Sequence, residues 1–201
     1  METSPLLIYT DGACAGNPGP GGWAWAVVDG PHGFGSENPS TNQRMEVLAV
    51  RDALETFLPK GDAPIVIVSD STYVVNCFRD RWWEGWERRG WKNSQKQPVA
   101  NQDLWKPLVQ LVREHSDRVS FRWVKGHSGN AMNDKVDALA VEACRDRVVR
   151  TVVGLSDPPR QYGLVGQDGS VEQRGSVASS GAVAETQTLW PEAEGDPLTL
   201  V

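Results

Sequence analysis

Cysteine is scarce in this 201-residue chain. Cys14, Cys77 and Cys144 form no CxxC pair, so they write neither a disulfide framework nor a structural zinc site, and a reducing compartment is expected. Long apolar runs are missing too: none approaches the roughly 18 residues of a membrane span. The opening ten residues have no basic stretch and no long apolar core, so they do not read as a secretory signal. A cytoplasmic setting without a membrane partner is the expectation. Basic charge is also in short supply, with 20 Lys and Arg against 26 Asp and Glu and a net charge of -6. Taken whole, that balance speaks against a nucleic-acid partner. Its distribution points the other way. From Thr151 onward there are seven acids against Arg160 and Arg174 alone, which leaves 18 basic and 19 acidic groups in the first 150 residues. Within that near-neutral body Arg79, Arg81, Arg88, Arg89, Lys92 and Lys96 face only Asp80, Glu84 and Glu87.

The length suits one domain of about 150 residues with an extension. Residues 156–201 are rich in Gly, Ser, Pro, Gln and Val without sustained periodicity, as a disordered extension would be. The expected division is 1–150 for the body and 151–201 for the acidic extension, whose partner, if any, the sequence does not name.

The body alternates strand and helix signals. Residues 6–10 form a short apolar run ending at Asp11, and Trp23, Trp25 and Val27 alternate with small residues after a Gly/Pro-rich turn. A third strand across residues 33–38 is weakly written because Gly, Pro and Asn interrupt it. Ser40 with Gln43 resembles a capping box opening a helix to about Leu58, with Glu46 in its first turn. Ile65-Val66-Ile67-Val68 reads as a buried central strand ending at Ser69-Asp70. Helical pattern follows from Ser71 through the Trp-rich stretch 81–91 and resumes over 102–113. Pro107 must fall in the first turn there or distort the helix. Val119, Phe121 and Trp123 mark a fifth strand, and a last helix spans 131–150. The predicted order βββαβααβα describes an α/β fold, a five-stranded mixed sheet flanked by helices.

Carboxylates stand at telling places. Asp11 and Asp70 each close a central strand, where sites of open α/β sheets form. Glu46 lies on the first helix, and Asp137 lies on the last, four residues after Asn133 on one face. Each has a structural explanation of its own: a helix cap for Asp70, dipole complementation for Glu46, a solvated acidic face for Asp137. Asp134 competes with Asp137, and spacing alone does not separate them. Converging acids repel and raise one another's pKa, so a quartet makes sense around hard cations. Oxygen ligands without His or Cys suit magnesium, with manganese as a substitute, and two such ions serve in-line phosphoryl displacement.

Five stretches in order carry a family resemblance. They are Thr10-Asp11-Gly12-Ala13-Cys14 with Gly16-Asn17-Pro18-Gly19-Pro20-Gly21-Gly22, Thr41-Asn42-Gln43-Arg44-Met45-Glu46, Ser69-Asp70-Ser71-Thr72-Tyr73-Val74, the run 82–92, and Val124-Lys125-Gly126-His127-Ser128-Gly129-Asn130. Over about residues 4–146 the chain resembles ribonuclease H of the bacterial type I class. The resemblance implies a ribonuclease H-like fold and an endonuclease, a monomer, hydrolysing the RNA strand of RNA–DNA hybrids to 3′-hydroxyl and 5′-phosphate ends. It assigns Asp11, Glu46, Asp70 and Asp137, the acid ten residues after His127, to two divalent ions, and His127 to proton movement or product release.

The same resemblance implies a substrate surface. Close approach to a 2′-hydroxyl needs backbone and small polar groups, which Cys14, Gly16, Asn17, Asn42 and Gln43 supply. Thr41 resembles a DNA-phosphate contact, though a helix cap explains it equally well. Trp82, Trp86, Trp91, Arg88, Arg89, Lys92 and Lys96 match a protruding handle that grips the DNA strand through phosphate contacts. Most of its rings are expected to pack internally, and Glu84 and Glu87 dilute its charge. Two other readings remain at this point: a hybrid-binding module without catalysis, and a DNA-directed nuclease or resolvase of related fold.

Overall fold

A computed structural model of the chain describes residues 4–155. The expected extension, apart from its first residues, lies outside the described residues. Strand β1 (Leu6–Cys14) pairs antiparallel with β2 (Gly19–Val27), which pairs antiparallel with β3 (His32–Ser40). Helix α1 (Asn42–Phe57) and a short 3-10 turn (Leu58–Lys60) lead into β4 (Ile65–Ser69), buried throughout and parallel to β1. Three helices follow: α2 (Thr72–Arg79), α3 (Trp82–Arg88) and α4 (Gln102–Glu114). Strand β5 (Val119–Trp123) then runs parallel to β4, α5 (Ala131–Asp146) crosses the sheet, and β6 (Thr151–Val153) pairs antiparallel with β3. The sheet order is β5-β4-β1-β2-β3-β6.

Alternation along β2 separates the layers. Gly21 points at Met45 of α1, whereas its neighbour Gly22 lies under the backbone of α5 at Ala140 and Cys144, so the two helices cover opposite faces. On the α1 side Trp25 is fully buried, its ring edge-on to Phe57 at 5.2 Å and its indole N–H donating to Asp52 at 2.7 Å. Asp52 also accepts from Arg150 at 2.7 Å, which fastens the chain just before β6 to α1. On the α5 side the packing is tighter and smaller, with Ala24, Ala26, Val136 and Ala140 in contact.

Several expectations change. The sheet has six strands rather than five, because residues 151–153, counted by composition with the extension, add to β3. The third strand is nine residues long despite its glycines. Those glycines are what let it lie flat: the rings of Trp25 and Trp23 occupy the space that a Cβ would take at Gly33 and Gly35. The N-cap of α1 is Thr41, whose hydroxyl accepts from the Arg44 N–H at 3.2 Å, and not Ser40, which ends β3. Glu46 accordingly falls in the second turn. Pro107 also falls in a second turn, that of α4; the hydrogen bond it cannot donate would have gone to the exposed residue Asp103. Helix α5 stops at Asp146, where Arg147 turns left-handed with φ 50° and redirects the chain into β6.

Candidate active site

Asp11 stands opposite Ala24 in the β1–β2 ladder, hence on the sheet face that α5 covers. Its carboxylate is buried, 9% exposed, and its Oδ1 accepts from the Gly12 N–H at 2.7 Å. Gly12 faces the other way, against α1, where any Cβ would strike the backbone of Met45 and Glu46. The helix thereby comes close enough to bring Glu46 beside the strand end. Glu46 is held from two sides: its Oε1 accepts from Asn42 Nδ2 at 3.0 Å and its Oε2 from the Ser71 hydroxyl at 2.5 Å.

Asp70 follows the last residue of β4. Its Oδ2 accepts from Asn133 Nδ2 of α5 at 3.0 Å, and its main-chain oxygen accepts from the Trp123 indole at 3.0 Å. Gly126, at the start of the loop carrying His127, packs directly on the Asp70 carboxylate, leaving no room for a side chain. Asp137 is half-buried one turn beyond Asn133, while Asp134 is exposed.

Electrostatics bind the four together. Burial, then Asp70, then Asp137 and Glu46 push the Asp11 carboxyl up to about 8, against the pull of the Gly12 N–H. Burial and Asp70 push Glu46 up to about 7, although the bonds from Ser71 and Asn42 favour its ionised form. Among the described residues no group of three or more His, Cys, Asp and Glu side chains is placed to hold a metal ion. The four acids interact at electrostatic range, with Glu46 and Asp70 each turned onto neutral donors. The chemistry fits a hard divalent cation: the candidate ligands are all oxygen, they are partly desolvated, and their hydrogen-bond partners among the described residues are the neutral Gly12, Asn42, Ser71 and Asn133.

His127 is exposed in the 124–129 loop with φ 50°, so its imidazole is open to solvent and substrate. Of the residues matched to substrate contact, Gly16 (φ 93°) and Asn17 occupy the exposed turn after β1, and the half-buried Cys14 thiol donates to the Ser40 carbonyl at 3.4 Å. Thr41 caps α1, Asn42 is engaged with Glu46, and Gln43 is exposed. In the handle, Arg88, Arg89, Lys92 and Lys96 are exposed and Trp82 is 37% exposed. Trp86 does not present its ring to a ligand: it is buried against Trp105, centroids 5.5 Å apart, and Trp91 at 6.0 Å. Its expected contact is replaced by a packing role. Trp91 is half-buried with Lys106 over its ring at 5.5 Å. Sequence reasoning missed the parts of Ser71 and Trp123. Ser71 read only as a helix start, and nothing local pairs either residue with an acid far away in the chain.

Fold and site together define a class: a mixed-sheet α/β protein whose interacting carboxylates stand on β1, just after β4, and on the helices α1 and α5. The RNase H family profile matches residues 3–145. A ribonuclease H of Syntrophomonas wolfei is 49% identical over 143 residues, 70% of this chain and 96% of that protein. One from Neisseria meningitidis is 48% identical over 143 residues, with 70% and 94% covered. Among solved structures, LC9-RNase H1, a type 1 RNase H with the type 2 active-site motif, aligns with a TM-score of 0.63 at 32% identity over 74% of this chain and 75% of that one. LC11-RNase H1 in complex with RNA/DNA hybrid shares the fold, with a TM-score of 0.55 at 21% identity over 70% of this chain and 97% of that one. This chain belongs to the ribonuclease H family, in its type I branch, and is a nuclease.

Proposed function

We propose that the chain hydrolyses the RNA strand of RNA–DNA hybrids by a two-ion mechanism, leaving 3′-hydroxyl and 5′-phosphate ends, as a monomer in the cytoplasm. The observation that supports this reading is the electrostatic interaction of Asp11 with Glu46, Asp70 and Asp137, with Asp11 and Glu46 pushed far above the ordinary carboxylate range by burial and by their fellows. Those four would hold two magnesium ions, or manganese in their place; such ions supply a reactive water and charge stabilisation at the leaving oxygen.

The chain's own residues supply position and proton traffic. Gly12 sets the approach of α1 to β1, and Ser71 and Asn42 hold both oxygens of Glu46. His127, exposed on the loop packed against Asp70, carries a proton to or from the reacting phosphate or assists product release. The turn at Gly16 and Asn17, together with the exposed Gln43, meets the minor groove, where a 2′-hydroxyl distinguishes RNA from DNA. Arg88, Arg89, Lys92 and Lys96 engage phosphates of the DNA strand without reading sequence.

Strand-labelled hybrid, duplex RNA and duplex DNA, each incubated with magnesium or with EDTA, test the reading. Magnesium-dependent cutting of the RNA strand of the hybrid alone is expected. Binding without cutting, or cutting of duplex DNA instead, overturns it.

A further inference from the structure

The most unusual polar side chain near the site is Asn133. It is 1% exposed in the first turn of α5, on a helix whose neighbouring buried residues are Val136 and Ala140. An amide in such surroundings is costly unless its groups are bonded. Its Nδ2 donates to Asp70 Oδ2 at 3.0 Å, while its Oδ1 is buried without a donor among the described residues. An apolar residue of similar size would fill the same space without that unpaired oxygen. The hydrogen bond to Asp70 is what distinguishes the amide.

Its placement gives that bond a consequence. Asn133 is anchored by the cap of its own helix, its N–H donating to Asn130 Oδ1 at 3.2 Å, and Asp137 follows one turn later on the same face. Asp70 and Asp137 stand on different elements, and the far end of α5 is tied to β2 by the Cys144 thiol, which donates to the Pro20 carbonyl at 3.0 Å. The Asn133–Asp70 bond ties the other end, holding the turn of the helix that precedes Asp137 against the strand end that carries Asp70. It also occupies one Asp70 oxygen with a neutral donor. Unlike a lysine or arginine in that position, the amide adds no positive charge beside Asp70.

We infer that Asn133 is a positioning residue for Asp70, setting which carboxylate oxygen and which Asp70–Asp137 spacing a divalent cation meets. This rests on the function proposed above. The test is magnesium titration of the free protein, followed by amide NMR shifts around residues 11, 46, 70 and 137, for wild type, Asn133→Ala and Asn133→Leu. Removing a group that orients a metal ligand typically weakens metal affinity on the order of 10-fold. Both variants are expected to lose about that much, to need correspondingly more magnesium for half-maximal hybrid cleavage, and to keep the wild-type KM for hybrid. Asn133→Leu retains the packing, so an effect arising only from lost volume is absent there. Wild-type magnesium affinity in Asn133→Leu overturns the inference. If wild type itself fails to cleave hybrid with magnesium, the proposed function falls instead, and the two failures are distinct.

Discussion

Asp11 concentrates the tension of the site in one carboxyl. Folding raises its pKa from the usual range to about 8, so the folded chain holds a proton that the unfolded chain has released. Between about pH 4 and pH 8 each rise in pH then favours the unfolded state, because ionising this group in the pocket is opposed. Asp11→Asn removes that penalty. In EDTA the variant's Tm is expected to exceed wild type by roughly 5 °C at pH 8, with the advantage shrinking towards pH 4, while hybrid cleavage disappears and hybrid binding persists. Calorimetry at the two pH values and a cleavage assay check the pair; equal Tm at pH 8 contradicts the burial argument. Ser71→Ala is milder. Glu46 loses the donor on Oε2, and kcat is expected to fall about 10-fold with KM unchanged in steady-state kinetics. As acids of central strands Asp11 and Asp70 were both legible in the sequence. Asp70 directly follows β4, whereas Asp11, expected to close the first strand, lies within β1, which runs on to Cys14 because its pairing with β2 continues through the glycines. Their hydrogen-bond partners were not, because Ser71 to Glu46 and Asn133 to Asp70 are contacts made only when distant segments meet.

Elements, more than residues, decide whether those acids converge. Helix α5 lies so close to β2 that a Cβ on Gly22 would land on the Ala140 carbonyl and the Cys144 backbone. Gly22→Ala is therefore expected to lift α5 from the sheet and carry Asp137 with it. Activity should fall more steeply than stability, as parallel cleavage and denaturation curves would show. The far end of α5 is tied differently. Arg150 donates to the buried Asp52, which also accepts from Trp25, and to Thr56 at 3.0 Å. Arg150→Ala leaves Asp52 buried without its counter-charge, and a loss of about 3 kcal/mol in urea denaturation is expected. Pattern located most elements well, β4 and β5 especially, whose β-branched and alternating residues admit one reading. It missed the full length of β3 and all of β6. The glycines of β3 make sense only beneath two tryptophan rings, and a three-residue strand such as β6 exists only because an edge is there to receive it.

At the scale of the whole molecule, charge is divided. The body has a basic handle, and the acids from Asp157 onward come later in the sequence, outside the described residues. A segment of that charge is expected to compete with phosphate for the handle, most strongly at low salt. Deletion of residues 156–201, which spares β6, is expected to raise affinity for nonspecific duplex several-fold in low salt and to leave it unchanged in high salt. Equal affinity at low salt rules the competition out. The handle follows the same physics, and exchanging Lys92 and Lys96 for Ala should flatten the salt dependence of hybrid binding without altering the cleavage chemistry. Everything else presupposes that Asp11, Glu46, Asp70 and Asp137 serve one divalent site. Anomalous diffraction from crystals soaked in manganese addresses that most directly: density for the ion within coordination distance of Asp11 and its three companions is the predicted result, and manganese bound elsewhere with this pocket empty would contradict it.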